Sequence, residues 1–178
     1  IQARIRGVLL MAYANKFNGI VLATSNKSEV AVGYSTLYGD MVGGFSILKD
    51  VPKTFVYKIA EEINSTNNII PERILTRPPS AELSENQTDQ DTLPDYKVLD
   101  AIIDLYIEKN KSIKMIINEG YSAQDVRKVI KLIHMNEFKR RQTAPGPKVT
   151  NKAFGKDRRY PITSKYNPFI RGSTKWKK

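Results

Sequence analysis

The segment "IVLAT", residues 20–24, is a short apolar run rich in β-branched residues, set between a helical pattern and a polar loop. Such a run reads as a strand buried on both faces, the signature of a parallel sheet. Parallel strands need crossover connections and helices on their faces, so this one stretch steers the chain toward α/β architecture. A second strand is expected at "ERILTRPPS", residues 72–80, stopped by Pro78 and Pro79, which cannot donate to a ladder. Two strands against about six helical patterns are too few for a complete sheet, which usually has about 4–6. The missing strands are expected upstream of Ile1, where "IQARIRGVLLMAYANKF" reads as a helix already under way with no capping residue ahead of it. The chain is therefore expected to be the helix-rich part of a longer α/β domain.

The helical patterns divide the rest. Ile5, Val8, Leu9 and Ala12 form one face of the first helix, which Gly19 is expected to end. A short helix is expected from Glu29 to about Leu37. Asp50 is read as an N-cap ahead of Pro52, with Phe55, Val56, Ile59, Ala60 and Ile63 as the buried face of the helix that follows. Residues 82–95, "ELSENQTDQDTLPD", read as a surface loop. Val98, Leu99, Ile102, Ile103 and Tyr106 make the next apolar stripe. "SIKMIINEG" is a shorter helix closed by Gly120. Ser122 and Asp125 then stand at capping-box spacing before Val126, Val129, Ile130 and Ile133. Beyond Asn136 no helical period is visible.

With 178 residues, 40% of them hydrophobic, the chain can bury one ordinary core. Its apolar runs fall far short of the ~20 residues of a membrane helix, and no signal pattern opens it, so a cytoplasmic setting is expected. The absence of cysteine excludes disulfides, thiolate catalysis and cysteine-bound zinc within these residues, and a lone histidine argues against a histidine-built metal site. The net charge of +11 is concentrated at one end: 13 of the 29 Lys and Arg residues lie from Lys139 onward, against one acid, Asp157. A near-neutral body with a basic extension suits a nucleic acid, a membrane surface or a polyanionic small molecule, and charge alone does not choose.

The chemistry concentrates where "IVLAT" would emerge from the sheet, because ligands of open parallel sheets sit beyond the carboxyl ends of the strands. Thr24 stands there, followed at once by "SNKSE". A hydroxyl and free backbone amides can hold a phosphate or ribose, and Glu29 in a first helical turn can take Mg²⁺ through an oxygen. Lys53 and the hydroxyl of Ser80 reach the same rim if the two strands are adjacent. By spacing alone the signal is weak, and structural capping is the favoured reading of these residues.

Three long stretches carry a more specific signal: "LATSNKSEVAVGYSTLYGDMVGGFSILKDVPK", "RPPSAELSENQTDQDTLPDYKVLDAIIDLYIE" and "FKRRQTAPGPKVTNKAFGKDRRYPIT". In this order they resemble the synthetase part of glutamine-dependent NAD synthetases. The resemblance implies a doubly wound parallel-sheet domain of the adenine-nucleotide-hydrolase-like, N-type ATP pyrophosphatase kind. Residues 1–137 would be its C-terminal part, and 138–178 a basic extension closing over the active site.

The implied reaction has two steps. The carboxylate of deamido-NAD attacks the α-phosphate of ATP and pyrophosphate leaves with Mg²⁺; ammonia derived from glutamine then displaces AMP to give NAD. By the same resemblance Thr24, Lys53 and Ser80 contact ATP, with Lys53 facing the phosphates as the catalytic lysine. Arg4, Glu29, Tyr34 and Lys139 bind deamido-NAD, Glu29 also holding the metal. The family shares its deamido-NAD site across a homodimer or higher homo-oligomer, so Arg4 is expected to serve a neighbouring subunit. Neither a membrane nor a nucleic-acid partner is implied.

The chain departs from the family pattern at several points. Ser25 stands where a glycine is usual, and Leu37 and Phe138 stand where the ammonia-dependent branch has lysine and histidine; the last two favour the glutamine-dependent branch. The Ser-Gly-Gly-x-Asp-Ser loop that grips pyrophosphate, and the amidase domain that releases ammonia, are not among these residues, so the chain by itself is not expected to turn over.

Plainer readings stand beside these. His134 is expected at the edge of the core. Asp89 and Asp91 lack the glycine and terminal glutamate of a Ca²⁺ loop, and their stretch is read as mainly structural. Gly39, Gly43 and Gly44 are read as turn formers. The alternatives to a synthetase are a noncatalytic dimerisation module and a nucleic-acid-binding domain, the latter using Phe154, Tyr160, Tyr166 and Trp176 for stacking.

Overall fold

The structure, a computed structural model, describes residues 1–81, 83–164 and 168–169. Its elements are α1 (Gln2–Lys16), β1 (Leu22–Ala23), α2 (Lys27–Val32), β2 (Phe45–Ser46), α3 (Lys53–Thr66), α4 (Glu72–Thr76), a 3₁₀ turn (Asp89–Asp91), α5 (Tyr96–Ile103) running into a π turn (Asp104–Glu108), α6 (Ile113–Asn118), α7 (Ala123–Met135) and α8 (Glu137–Arg140). The architecture is α/β and helix-rich, built on a small parallel sheet in which Leu22 pairs with Phe45 and Ala23 with Ser46.

The second strand is therefore not the one expected. Residues 72–76 are helical, with Pro71 at the cap and Glu72 in the first turn; Arg77 is extended ahead of Pro78, so the prolines end a helix. The true partner of β1 was hidden in "VGGFS". A Cβ on Gly43 would lie 2.8 Å from the Val21 carbonyl oxygen, and one on Gly44 would lie 2.7 Å from Ile20 Cδ1, so both glycines permit the close approach of the two chains.

The core lies between α2, α5 with its π turn, α6 and α7. Leu99, Ile102, Ile107, Ile116, Val126, Val129, Ile130 and Ile133 are completely buried there, so the stripes expected in α5 and α7 do face inward. Ser122 caps α7 and Ser112 caps α6 as their types favour, and Gly120 takes the left-handed φ of 96° after α6.

The first and third helices behave differently. Ile5, Val8 and Leu9 of α1 face outward, and α1 packs instead through Ala3, Gly7 and Ala14. It also ends at Lys16, before Gly19. No residue of α3 is fully buried, and Phe55, Ile59 and Ile63 are exposed. Periodicity identifies an apolar face and says nothing of what covers it.

One helix range and one cap differ from expectation. Helix α2 begins at Lys27, because Asn26 and Glu29 form a capping box, and stops at Gly33 in the left-handed conformation. Asp50 does not cap α3. Its Oδ2 accepts hydrogen bonds from the Val149 and Thr150 amides and the Thr150 hydroxyl, while the first amides of α3 donate to Ser28 Oγ and Asp100 Oδ2.

The basic segment also carries structure that periodicity did not show. In α8, the buried Arg140 pairs with Glu137, donates to the Ala31 carbonyl and stacks on Phe154. Phe154 belongs to the core, and Tyr160 packs against His134 with ring centroids 4.4 Å apart, so both turn inward. Tyr166 and Trp176 lie outside the described residues. His134 sits at the core edge, its Nε2 2.8 Å from the Tyr106 hydroxyl.

Candidate active site

Beyond the end of β1 lies a half-open cavity of about 620 Å³. Six of the residues singled out from sequence line it: Thr24, Glu29, Tyr34, Lys53, Ser80 and Lys139. Thr24 stands one residue past β1. Glu29 is in the first turn of α2, its place fixed by the capping box, in which its Oε2 accepts the Asn26 amide. Tyr34 follows the left-handed Gly33, which turns the chain away from the helix; a Cβ on Gly33 would meet Asn136 at 2.4 Å. Lys53 is the first residue of α3. Ser80 lies beyond α4 on a segment tied down where the Asp89 amide donates to the Pro79 carbonyl at 2.9 Å. Lys139, from α8, donates to the carbonyls of Gly33 and Ser35 at 2.7 and 2.8 Å.

Among the lining residues Lys53 and Glu29 form a pair, 3.3 Å apart, each side chain about one-fifth exposed. Burial raises the Glu29 carboxyl above its usual range, and the nearby Lys53 only partly offsets this. Burial lowers the Lys139 ammonium, with Asp40 opposing. The Lys53 ammonium lies over two tyrosine rings, 5.9 Å from the centroid of Tyr57 and 5.6 Å from that of Tyr96. Among the described residues no group of three or more His, Asp or Glu side chains gathers to hold a metal. A single carboxylate suits Mg²⁺, which takes most of its oxygens from phosphates and water.

Arg4 is not in the cavity. Its Nε donates to the Leu37 carbonyl at 3.0 Å, and the residue borders an apolar hollow with Ile1, Ile5, Val8 and Leu9. The cavity receives Arg6 and Ala3 from α1 instead, together with Asp40, Gln87 and Asp89. Arg6 was not singled out from sequence, and Asp89 was read there as mainly structural. The i, i+3 spacing of Ala3 and Arg6, next to Gly7, marks the face on which small residues let the helix lie flush. A Cβ on Gly7 would come within 3.1 Å of the Gly39 carbonyl oxygen. Asp89 was visible only as part of an acidic loop.

Comparison with known proteins shows the family. Residues 1–143 match the NAD synthase family. The chain is 55% identical over 170 residues to the glutamine-dependent NAD(+) synthetase of Acinetobacter baylyi, covering 94% of this chain and 31% of that protein. It is 57% identical over 166 residues to the Aquifex aeolicus enzyme of the same name, covering 93% and 29%. The crystal structure of a glutamine-dependent NAD(+) synthetase from Cytophaga hutchinsonii superposes with a TM-score of 0.76 at 26% identity, over 92% of this chain and 28% of that one. The chain thus spans about a third of the length of the relatives it matches. The family match covers most of the sequence, and the chain belongs to the NAD synthase family.

Proposed function

We propose that this chain supplies part of the synthetase site of a glutamine-dependent NAD synthetase. There ATP adenylates the carboxylate of deamido-NAD, and ammonia drawn from glutamine displaces AMP. The observation that carries the reading is the convergence of Thr24, Glu29, Tyr34, Lys53, Ser80 and Lys139 on one cavity, although they come from separate parts of the chain. Thr24, Ser80 and Lys53 are assigned to ATP. Tyr34, Glu29 and Lys139 are assigned to deamido-NAD, and Arg4, outside the cavity, to the site of a neighbouring subunit in a homodimer or higher homo-oligomer.

The chemistry is positioning and neutralisation of a polyphosphate. Lys53 has one acidic partner at 3.3 Å and two ring faces, so its ammonium retains donors to offer the phosphate that departs. Glu29 would hold Mg²⁺, which neutralises charge on the leaving pyrophosphate. Residues 1–137 are assigned to the nucleotide-binding domain and 138–178 to an extension closing over it. No helix among the described residues is long and apolar enough to cross a membrane, and a cytoplasmic setting is part of the proposal.

The test is pyrophosphate release from ATP by the full-length protein. Release that requires deamido-NAD is expected, and release indifferent to deamido-NAD would overturn the assignment. A second reading, a noncatalytic dimerisation module, draws on the outward apolar face of α1. It predicts concentration-dependent dimers with no turnover.

A further inference from the structure

Asp89 is only 3% exposed and lines the cavity, yet its environment is a poor one for a carboxylate. Oδ2 accepts a 2.6 Å hydrogen bond from the Tyr96 hydroxyl, while Oδ1 has no hydrogen-bond partner. The Tyr34 hydroxyl lies beside Asp89 and Thr92 and interacts with both, without a hydrogen bond of standard geometry to either. Burying a half-satisfied acid is costly, and an apolar pair of the same shape at 89 and 96 would fill the space without that cost. Packing alone does not explain the acid.

Its connections do. The Asp89 amide holds the Pro79 carbonyl and so fixes the segment bearing Ser80. Its carboxylate holds the hydroxyl end of Tyr96, whose ring face lies under the Lys53 ammonium. A phenol donating to a carboxylate is polarised toward a more electron-rich ring, which attracts a cation more strongly. Burial and Asp89 both push the Tyr96 hydroxyl far above its ordinary range, so it stays a donor at any working pH.

We propose that Asp89 is a positioning residue: through Tyr96 it sets the place of Lys53, and through Pro79 it holds Ser80 in register with that lysine along one wall of the cavity. The inference rests on the reading of this cavity as the ATP site.

A double-variant cycle in the full-length protein tests it, using deamido-NAD-dependent pyrophosphate release. Tyr96→Phe keeps the ring and loses the anchor. It should lower kcat about tenfold, the lower end of the scale of one hydrogen bond to a charged group, with KM for ATP within about twofold. In a Lys53→Ala background the same change should cost less than about 1.5-fold, because the residue it acts through is gone. Asp89→Asn, which still accepts from Tyr96, should keep most of the activity that Asp89→Ala loses. Equal fold-losses for Tyr96→Phe in both backgrounds, or no loss in the parent that keeps Lys53, would overturn the proposal. If Lys53→Ala turns over too slowly, the same cycle is read on affinity for inorganic pyrophosphate by calorimetry. A parent protein that binds pyrophosphate without turnover would sink the synthetase reading and leave that cycle to judge the relay. One with neither property would sink both.

Discussion

Lys27 and Lys53 stand on neighbouring helices, α2 and α3, and their surroundings could hardly differ more. Lys27 is 2% exposed and its ammonium is saturated: Asp50 lies at 3.1 Å, Glu108 and the Thr150 hydroxyl at 2.5 Å, and the Lys152 carbonyl at 3.0 Å. Glu108 in turn accepts the Lys152 amide, and Asp50 accepts three bonds from residues 149 and 150. Lys53 has one acid at 3.3 Å and two aromatic faces, and it borders a large cavity. A cation whose donors are all taken is a staple between chain segments. One whose donors are partly free, beside empty volume, is available to an anionic ligand. Both lysines belong to the stretches that resemble the family, and only their partners tell them apart.

The largest effect should come from Lys27→Met. It leaves Asp50 and Glu108 facing each other's charge without their shared cation, and removing one member of a buried ion network costs about 3–5 kcal/mol. Urea denaturation of the full-length protein measures it. A loss below about 1 kcal/mol would mean that Lys27 is no staple, and the contrast with Lys53 would collapse. Lys53→Ala should do the reverse. Unfolding should shift by no more than about 1 kcal/mol, since its ion pair is partly exposed and long. Pyrophosphate release should fall by about 10²-fold or more, as when one charge-stabilising donor is removed from an active site. Unchanged turnover would contradict the phosphate role.

Thr150→Val sharpens the structural half. The hydroxyl accepts from Lys27 and donates to Asp50, so its loss leaves two buried charged groups each short of a bond. About 1–3 kcal/mol of stability should go, with kcat per folded molecule unchanged. A fall in kcat at constant stability would show that the staple reaches the site.

This contrast explains how much could be read from the sequence. The stripes of α5 and α7 were legible because one face of each is wholly apolar and meets the same core. Thr24, Glu29, Tyr34, Lys53, Ser80 and Lys139 were singled out through family resemblance, because long stretches keep their order, and the six do line one cavity. The residues 72–80 were misread because Ile74 and Leu75 beside two prolines fit a strand end as well as a helix end, and only the pairing of Phe45 with Leu22 decides between them. Asp50 looked like a cap because local spacing cannot see Thr150, a hundred residues away. Arg6 was missed, and Asp89 was read as mainly structural, because neither spacing nor composition shows that the two line one cavity.

The smallest effect is a pH dependence at Glu29. Burial raises this carboxyl above its unfolded value, so the folded state prefers it protonated. The associated stability is fully present below the unfolded pKa, near 4.5, and is lost as pH rises through the raised, folded value. Glu29→Gln freezes the neutral form. The variant should match the parent protein in urea at low pH and exceed it in stability above the raised pKa, the gap opening only between those limits. The same change should raise the Mg²⁺ concentration needed for half-maximal turnover by about tenfold, because glutamine offers a metal no charge. A stability gap that runs the other way with pH would mean that the Lys53 ion pair outweighs burial. In that case Lys53 would be held by its acid as Lys27 is by two, and the distinction between staple and ligand-binding lysine would be one of degree.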